Sequence, residues 1–193
     1  DTLQMQRLAK GEYRAEALTV TKLGTYLITI SGISAINIVG DSAFVVMPDV
    51  AAQAVFQSVP VAINVGGNLP AFTVRYRDRF DNPVDYEGTV GFTNSASPFV
   101  QAGLTPLNNK TIPVTRTALA VSTATLTPVS VAGDYTLTVQ GLTTLTGTTA
   151  FTVRPLAAAS AEIRNLQERL SAGDSLPPFI VLYRDKIGNV TDY

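Results

Sequence analysis

Two phrases in the chain, "YRDRFDNPVDY" at 76–86 and "YRDKIGNVTDY" at 183–193, are the same phrase twice. Tyr76 and Tyr183, Asp78 and Asp185, and Asn82 and Asn189 are each separated by 107 residues, which is the length of a domain. The register continues upstream without a gap, "GGNLPAFTVRYRD" at 66–78 lying over "GDSLPPFIVLYRD" at 173–185. A second pairing joins the front of the chain to its middle: "GTYLITISG" (24–32) over "GDYTLTVQG" (133–141), then "GDSAFVVMP" (40–48) over "GTTAFTVRP" (147–155). A period of that size means tandem copies of one unit, and 193 residues hold about 1.8 of them. The expected organisation is therefore 1–48 as the last part of one repeat, 49–155 as a complete repeat and 156–193 as the opening part of another.

Alternation inside the repeated stretches decides the fold class. Tyr26, Ile28 and Ile30 point one way with Leu27 and Thr29 opposite, and Tyr135, Leu137 and Val139 repeat this against Thr136 and Thr138. Period two with β-branched residues is the mark of half-buried strands. Turn residues punctuate the middle copy every eight to twelve positions, the spacing of a β-sandwich. The reading is all-β, with strands at 53–57 and 60–65 (one split strand, A and A′), 70–78 (B), 88–93 (C), 98–103 (D), 117–127 (E), 134–140 (F) and 147–154 (G). One segment competes: "SAEIRNLQERLSAGD" at 160–174 carries Ile163, Leu166 and Leu170 at helical spacing, yet the repeat register lays it over a Pro60-containing stretch that would make a poor helix, so strand–turn–strand is favoured over a short helix.

Composition excludes several classes of function. There is no cysteine and no histidine, which removes disulfides, thiolate chemistry, the commonest general base and the commonest metal ligand together. A net charge of −1 and the lack of any basic tract imply no nucleic-acid partner. No apolar run reaches the length of a membrane span, since "TYLITISGISAINIVG" (25–40) is broken by Thr, Ser, Gly and Asn, so no direct membrane insertion is expected of this segment. Sparse charge (15%), abundant threonine and N-x-T sequons at Asn109 and Asn189 lean toward a surface or secreted setting.

The repeated phrase places Asp78, Asp81, Asn82 and Asp85 within eight residues, which raises a Ca²⁺ site built from oxygen ligands. In the later copy Gly188 stands at the place of Asp81 while Asp185, Asn189 and Asp192 persist. Exchange of an acid for glycine is what a tight turn tolerates, so a structural turn is the favoured reading and no metal, catalytic residue or cofactor is assigned. The tyrosine of each "G-x-Y", Tyr26 and Tyr135, is expected to hydrogen-bond back to the corner before strand F, as in immunoglobulin-type sandwiches.

The order "G…F-x-V…R-D…N" in strand B and its turn, "G-x-Y" in strand F and "G-x-x-x-F-x-V" in strand G resembles the filamin-type immunoglobulin repeat. The matching residues are Gly24, Tyr26, Gly40, Phe44 and Val46, then Phe72, Val74, Asp78, Asn82, Gly133, Tyr135, Gly147, Phe151 and Val153, then Phe179, Val181, Asp185, Gly188 and Asn189. The strand-G phrases "GDSAF" and "GTTAF" and the Thr/Ala-rich E region depart from the family pattern, as a divergent branch would. The resemblance implies a non-enzymatic, rod-like array that spaces and binds protein partners, through neighbouring repeats and by adding a partner strand along the groove of strand C. That groove falls on Thr89, Val90, Gly91 and Phe92, facing 98–103. The settings implied are cytoskeletal or ciliary; the alternatives are an extracellular or cell-surface adhesion array, and a calcium- or carbohydrate-binding accessory module of an enzyme.

Overall fold

The computed structural model describes residues 2–31, 39–94, 111–124 and 127–193, and the chain divides into two compact units, Asp1–Asp49 and Val50–Tyr193. No helix occurs among the described residues, and none is therefore long and apolar enough to cross a membrane. The first unit is two hairpins. β1 (Met5–Ala9) pairs with β2 (Glu12–Ala15) through a turn at Gly11, and β3 (Gly24–Ser31) pairs with β4 (Val39–Val46), Tyr26 opposite Phe44.

The second unit is an immunoglobulin-like β-sandwich followed by a further hairpin. Its strands are β5 (Gln53–Gln57), β6 (Ala62–Asn64), β7 (Asn68–Leu69), β8 (Thr73–Arg77), β9 (Thr89–Asn94), β10 (Thr111–Ala118), β11 (Val121–Ala124), β12 (Thr127–Pro128), β13 (Gly133–Gln140), β14 (Thr148–Arg154), β15 (Ala158–Arg164) and β16 (Ile180–Asp185). Hydrogen bonding runs β5-β8-β11-β10-β9-β13-β14-β6. The order folds into two layers because β10 serves both: Thr111–Pro113 pair with β9, while Val114–Ala118 pair with β11. The split first strand closes the opposite side. β5 belongs to the layer of β8, the chain crosses over at Ser58 (φ 63°) and Pro60, and β6 then runs parallel to β14.

Alternation does the sorting that the sequence anticipates. Val74 and Tyr76 of β8, Val90 and Phe92 of β9, and Tyr135, Leu137 and Val139 of β13 all turn inward and are at most 4% exposed, against Phe72, Leu69, Phe151 and Val153. Burial of each such side chain is worth roughly 1.5–3 kcal/mol, so the sandwich owns a core of its own. β13 and β14 repeat the pairing of β3 and β4: Gly133 sits opposite Val153 as Gly24 does opposite Val46, and Tyr135 stacks on Phe151 (5.2 Å) as Tyr26 does on Phe44 (5.4 Å). In the first unit the same hairpin leaves Ile28, Ile30 and Phe44 substantially exposed.

Three expectations change. The strand expected at 117–127 is a hairpin, β10–β11, turning at Leu119–Ala120, where Ala120 adopts φ 56°. No Gly, Asn or Pro marks that turn. The expected strand 70–78 begins later, at Thr73, and Leu69 belongs to a separate short pair with β12. In 160–174 only the first half of the expected strand–turn–strand forms: β15 ends at Arg164 because Asn165 turns to φ 60°, and no second strand follows before β16. The strand expected at 98–103 lies outside the described residues.

Candidate functional site: the duplicated turn and its joint

The repeated phrase builds the same turn twice. Asp78 Oδ1 accepts hydrogen bonds from the N–H of Phe80 (2.8 Å) and Asn82 (2.9 Å), and Asp185 Oδ1 accepts from Ile187 (2.9 Å), Gly188 (2.8 Å) and Asn189 (2.9 Å). Asp78 N–H donates to Asn82 C=O and Asp185 N–H to Asn189 C=O, both at 2.9 Å. Asp81 (φ 68°) and Gly188 (φ 107°) occupy the one left-handed position. That explains the exchange of acid for glycine, since Asp tolerates this region better than most residues and Gly adopts it freely. Tyr76 packs edge-on against Tyr86 (5.0 Å), and Tyr183 stacks on Tyr193 (4.8 Å).

The oxygens considered as calcium ligands go to separate partners. The Asp78 carboxylate receives the turn amides, Asp81 pairs with Arg77 (2.5 Å), Asn82 donates to Asp78, and Asp85 accepts from Ala120 N–H (2.7 Å) and pairs with Arg116 (2.5 Å). Among the described residues no group of three or more such side chains converges. The Ala120 hydrogen bond, then Arg116, hold Asp85 below the ordinary carboxylate pKa against the opposing effect of desolvation.

The later turn reaches beyond its own hairpin. Asn189 Oδ1 accepts from Ala132 N–H (2.8 Å) and its Nδ2 donates to Ser130 C=O (3.0 Å), so it spans the corner that precedes β13. Asp185 Oδ2 accepts from Leu156 N–H (3.0 Å), and Thr191 Oγ1 donates to Leu156 C=O (3.0 Å). Leu156, between β14 and β15, is thus held by both its N–H and its C=O. Ile187, at the tip of the turn, packs against the sandwich core, where a Cβ on Gly66 would come within 3.1 Å of its Cδ1. Sequence reasoning found Asp185 and Asn189 as turn residues; their grip on 130–132 and 156 had no signal in the local pattern. Burial pushes the pKa of Asp185 up, but hydrogen bonds from the N–H groups of Leu156, Asn189 and Ile187 and from the Asn189 amide outweigh it, and the net shift is downward from 3.8. A carboxylate lowered on folding adds stability above its unfolded pKa and loses it as pH falls through the folded one. We predict that acidification below about pH 4 exposes the Leu156 amide to exchange, and that Asp185→Asn removes that pH dependence; an acid-insensitive Leu156 amide in the parent protein would contradict it.

Tyr135 and Tyr26 occupy matching corners. The Tyr135 hydroxyl donates to Val131 C=O and that of Tyr26 to Lys22 C=O, each at 2.9 Å and four residues back. Tyr135 is fully buried, whereas the Tyr26 bond is exposed to competing water. Tyr135→Phe is therefore expected to cost about 1 kcal/mol in urea unfolding and Tyr26→Phe much less. Tyr76 offers the opposite case. Its hydroxyl is buried with no hydrogen-bond partner among the described residues, and burial, then the nearby Tyr86, raises its pKa to about 12. Tyr76→Phe is expected to leave stability unchanged or raise it by up to about 1 kcal/mol; a loss as large as that of Tyr135→Phe would show that the hydroxyl is satisfied in solution.

Thr89, Val90, Gly91 and Phe92 lie on β9 in the middle of the bonding order. Thr89–Gly91 pair with β13 on one side and with Thr111–Pro113 on the other, and Val90 and Phe92 are buried in the core. The edge expected to receive an added strand is already taken over those three residues, and the residues expected to face it, 98–103, lie outside the described ones. The sequon at Asn189 is occupied by the fold itself. At 4% exposure, with its amide nitrogen hydrogen-bonded to Ser130 and Asp185, it is closed to glycosylation in this fold, while Asn109 lies outside the described residues.

No protein-family model matches the chain, and no curated protein matches it. Among solved structures it is similar to FdeC, described as a broadly conserved Escherichia coli adhesin, with a TM-score of 0.47 and 14% identity over 77% of this chain and 46% of that one. It is also similar to domains 4–9 of the surface layer protein SbsC, with a TM-score of 0.35 and 19% identity over 88% of this chain and 25% of that one. The chain spans less than half the length of either structure.

Proposed function

We propose that this chain is a stretch of a non-enzymatic structural array, a run of immunoglobulin-like sandwiches that spaces and presents other parts of a cell-surface, adhesion-type protein. The observation that carries the reading is the joint. The turn of the 156–193 segment, the opening of a further repeat, is bonded to the corner of the complete sandwich before it and holds Leu156 at the junction, so successive units are held rather than merely tethered. Among the described residues β10 joins the two layers on one side and the split first strand on the other, which leaves β5 and β6 at the ends of the bonding order.

The surface setting rests on composition. Exposed positions such as Thr115, Thr117 and Thr148 carry hydroxyls rather than charges, and only 15% of the chain is charged. The two solved structures named above come from comparable settings; the proposal itself stands on the joint and the surface chemistry. The filamin resemblance leads to a cytoskeletal scaffold instead, and one experiment separates the two. Brief protease treatment of intact cells is expected to remove the segment from the native protein; a segment that becomes accessible only after lysis would place the array inside the cell.

A further inference from the structure

We infer that Asn189 and Asp185 form an inter-repeat lock, whose partner surface is the corner of the preceding sandwich with the junction at Leu156, and that this lock couples the order of neighbouring repeats. The inference rests on the array reading above and says how the array is held. Two hydrogen bonds cross from the turn to the sandwich corner, at Ser130 C=O and Ala132 N–H, two more hold the N–H and C=O of Leu156 at the junction where the 156–193 segment begins, and all four end on backbone atoms. A lock that reads backbone needs no particular side chains from the preceding repeat. It needs a corner of the right shape, which the tyrosine bond from Tyr135 to Val131 C=O holds between the two atoms that Asn189 grips.

The side chains on the turn are chosen for this geometry. Asn presents one acceptor and one donor in a single plane, matching a C=O and an N–H two residues apart; Asp would repel the C=O, and Ser could not reach both. Asp185 serves both sides, Oδ1 receiving the turn amides and Oδ2 the Leu156 N–H together with the Asn189 side-chain amide, so forming the turn presents the oxygen that Leu156 needs. Asp185 and Asn189 are 3% and 4% exposed, and Ile187 is packed against the core beside them. Buried hydrogen bonds of this kind are lost together when one partner is removed, because what remains is left unsatisfied. In a linear array, contacts confined to neighbours make stability a sum of unit and interface contributions, and these bonds are the polar part of the interface.

The test uses the full chain and its Asn189→Ala variant, read by amide exchange and by backbone relaxation of β15–β16 against β13–β14. In the parent protein the Ala132 and Leu156 amides are expected to be protected and the β15–β16 hairpin to tumble with the sandwich. In the variant, exchange at Ala132 and Leu156 is expected to rise at least tenfold, the hairpin to gain independent nanosecond motion, and the β13–β14 amides to keep their protection. Unchanged exchange at both amides, or independent hairpin motion already in the parent, overturns the lock. Should Asn189→Ala unfold the hairpin outright, Thr191→Val decides, since it leaves the Asp185 and Asn189 contacts whole and removes the hold on Leu156 C=O with a long contact to the adjacent Asp192 C=O (3.5 Å): added hairpin motion supports the lock, and none overturns it. Failure here leaves the protease experiment on intact cells unaffected, and a wholly intracellular array would leave the lock standing.

Discussion

Alanine at Gly147 is expected to lower the stability of the sandwich by about 3 kcal/mol or more, whereas alanine at Gly40, the matching position of the earlier repeat fragment, is expected to change stability by less than about 0.5 kcal/mol. The chain seals its first strand against its last here. Ala54 N–H donates to Thr146 C=O (2.7 Å) and Thr146 N–H to Ala52 C=O (3.0 Å). A Cβ on Gly147 would overlap Ala54 C=O and come within 2.8 Å of Ala54 Cβ, and neither is a flexible side-chain end that could swing away. β5 would have to leave β14, opening one side of the core. At Gly40 the nearest atom is Ile30 Cδ1 at 3.7 Å, an ordinary contact. Urea unfolding of the two variants, followed by tyrosine fluorescence, measures the difference; equal, small shifts in midpoint would show that the strand closure contributes little.

Asp78→Ala is expected to cost about 3 kcal/mol and to lower the melting temperature by roughly 10 °C. Asp78 is 3% exposed, and its carboxylate takes the N–H groups of Phe80 and Asn82 and the Asn82 amide. Truncation strands these donors where water reaches them poorly, and hydrogen bonds to a charged acceptor are worth about 1.5–3 kcal/mol. Its neighbour gives the control. Asp81 is exposed and paired only at the surface with Arg77, an interaction worth at most about 1 kcal/mol, while glycine at its left-handed φ relieves strain, as Gly188 does in the later copy. Asp81→Gly is therefore expected to stay within about 0.5 kcal/mol of the parent. Calorimetry on both variants checks the pair: a comparable loss for Asp81→Gly would mean that the acidic character of the turn, and not the buried acceptor, is what the fold needs.

These two results also separate what repetition reveals from what it hides. The offset of 107 residues, read with two-residue alternation, is enough to expect β13, β14, β8 and the turn after β8. Both signals are local and are carried by side chains that face one core. The tyrosine corner was legible for the same reason, since Tyr135 reaches only four residues back. The β10–β11 hairpin was not. Ala120 has no turn propensity, and it is held at φ 56° from outside: Asp85 accepts its N–H, and Tyr76 N–H donates to its C=O (3.1 Å). The helical spacing of Ile163, Leu166 and Leu170 competed with the strand reading that the repeat register favoured, and pairing of Ala158–Arg164 with β16 outweighs that weak helical preference.

By itself, then, the sequence determined an all-β chain built of a repeated unit, with the Asp and Asn of one phrase set in a tight turn. The period and the alternation that say so are properties of neighbours along the chain. Only the tertiary structure decided that Asn189 leaves its own hairpin to hold Ser130 and Ala132, that Leu156 is gripped at both ends, and that Thr89–Gly91 has no free edge. Each of those contacts joins segments more than fifteen residues apart through backbone N–H and C=O groups, which every residue but proline carries alike, so no pattern of side chains could have announced them.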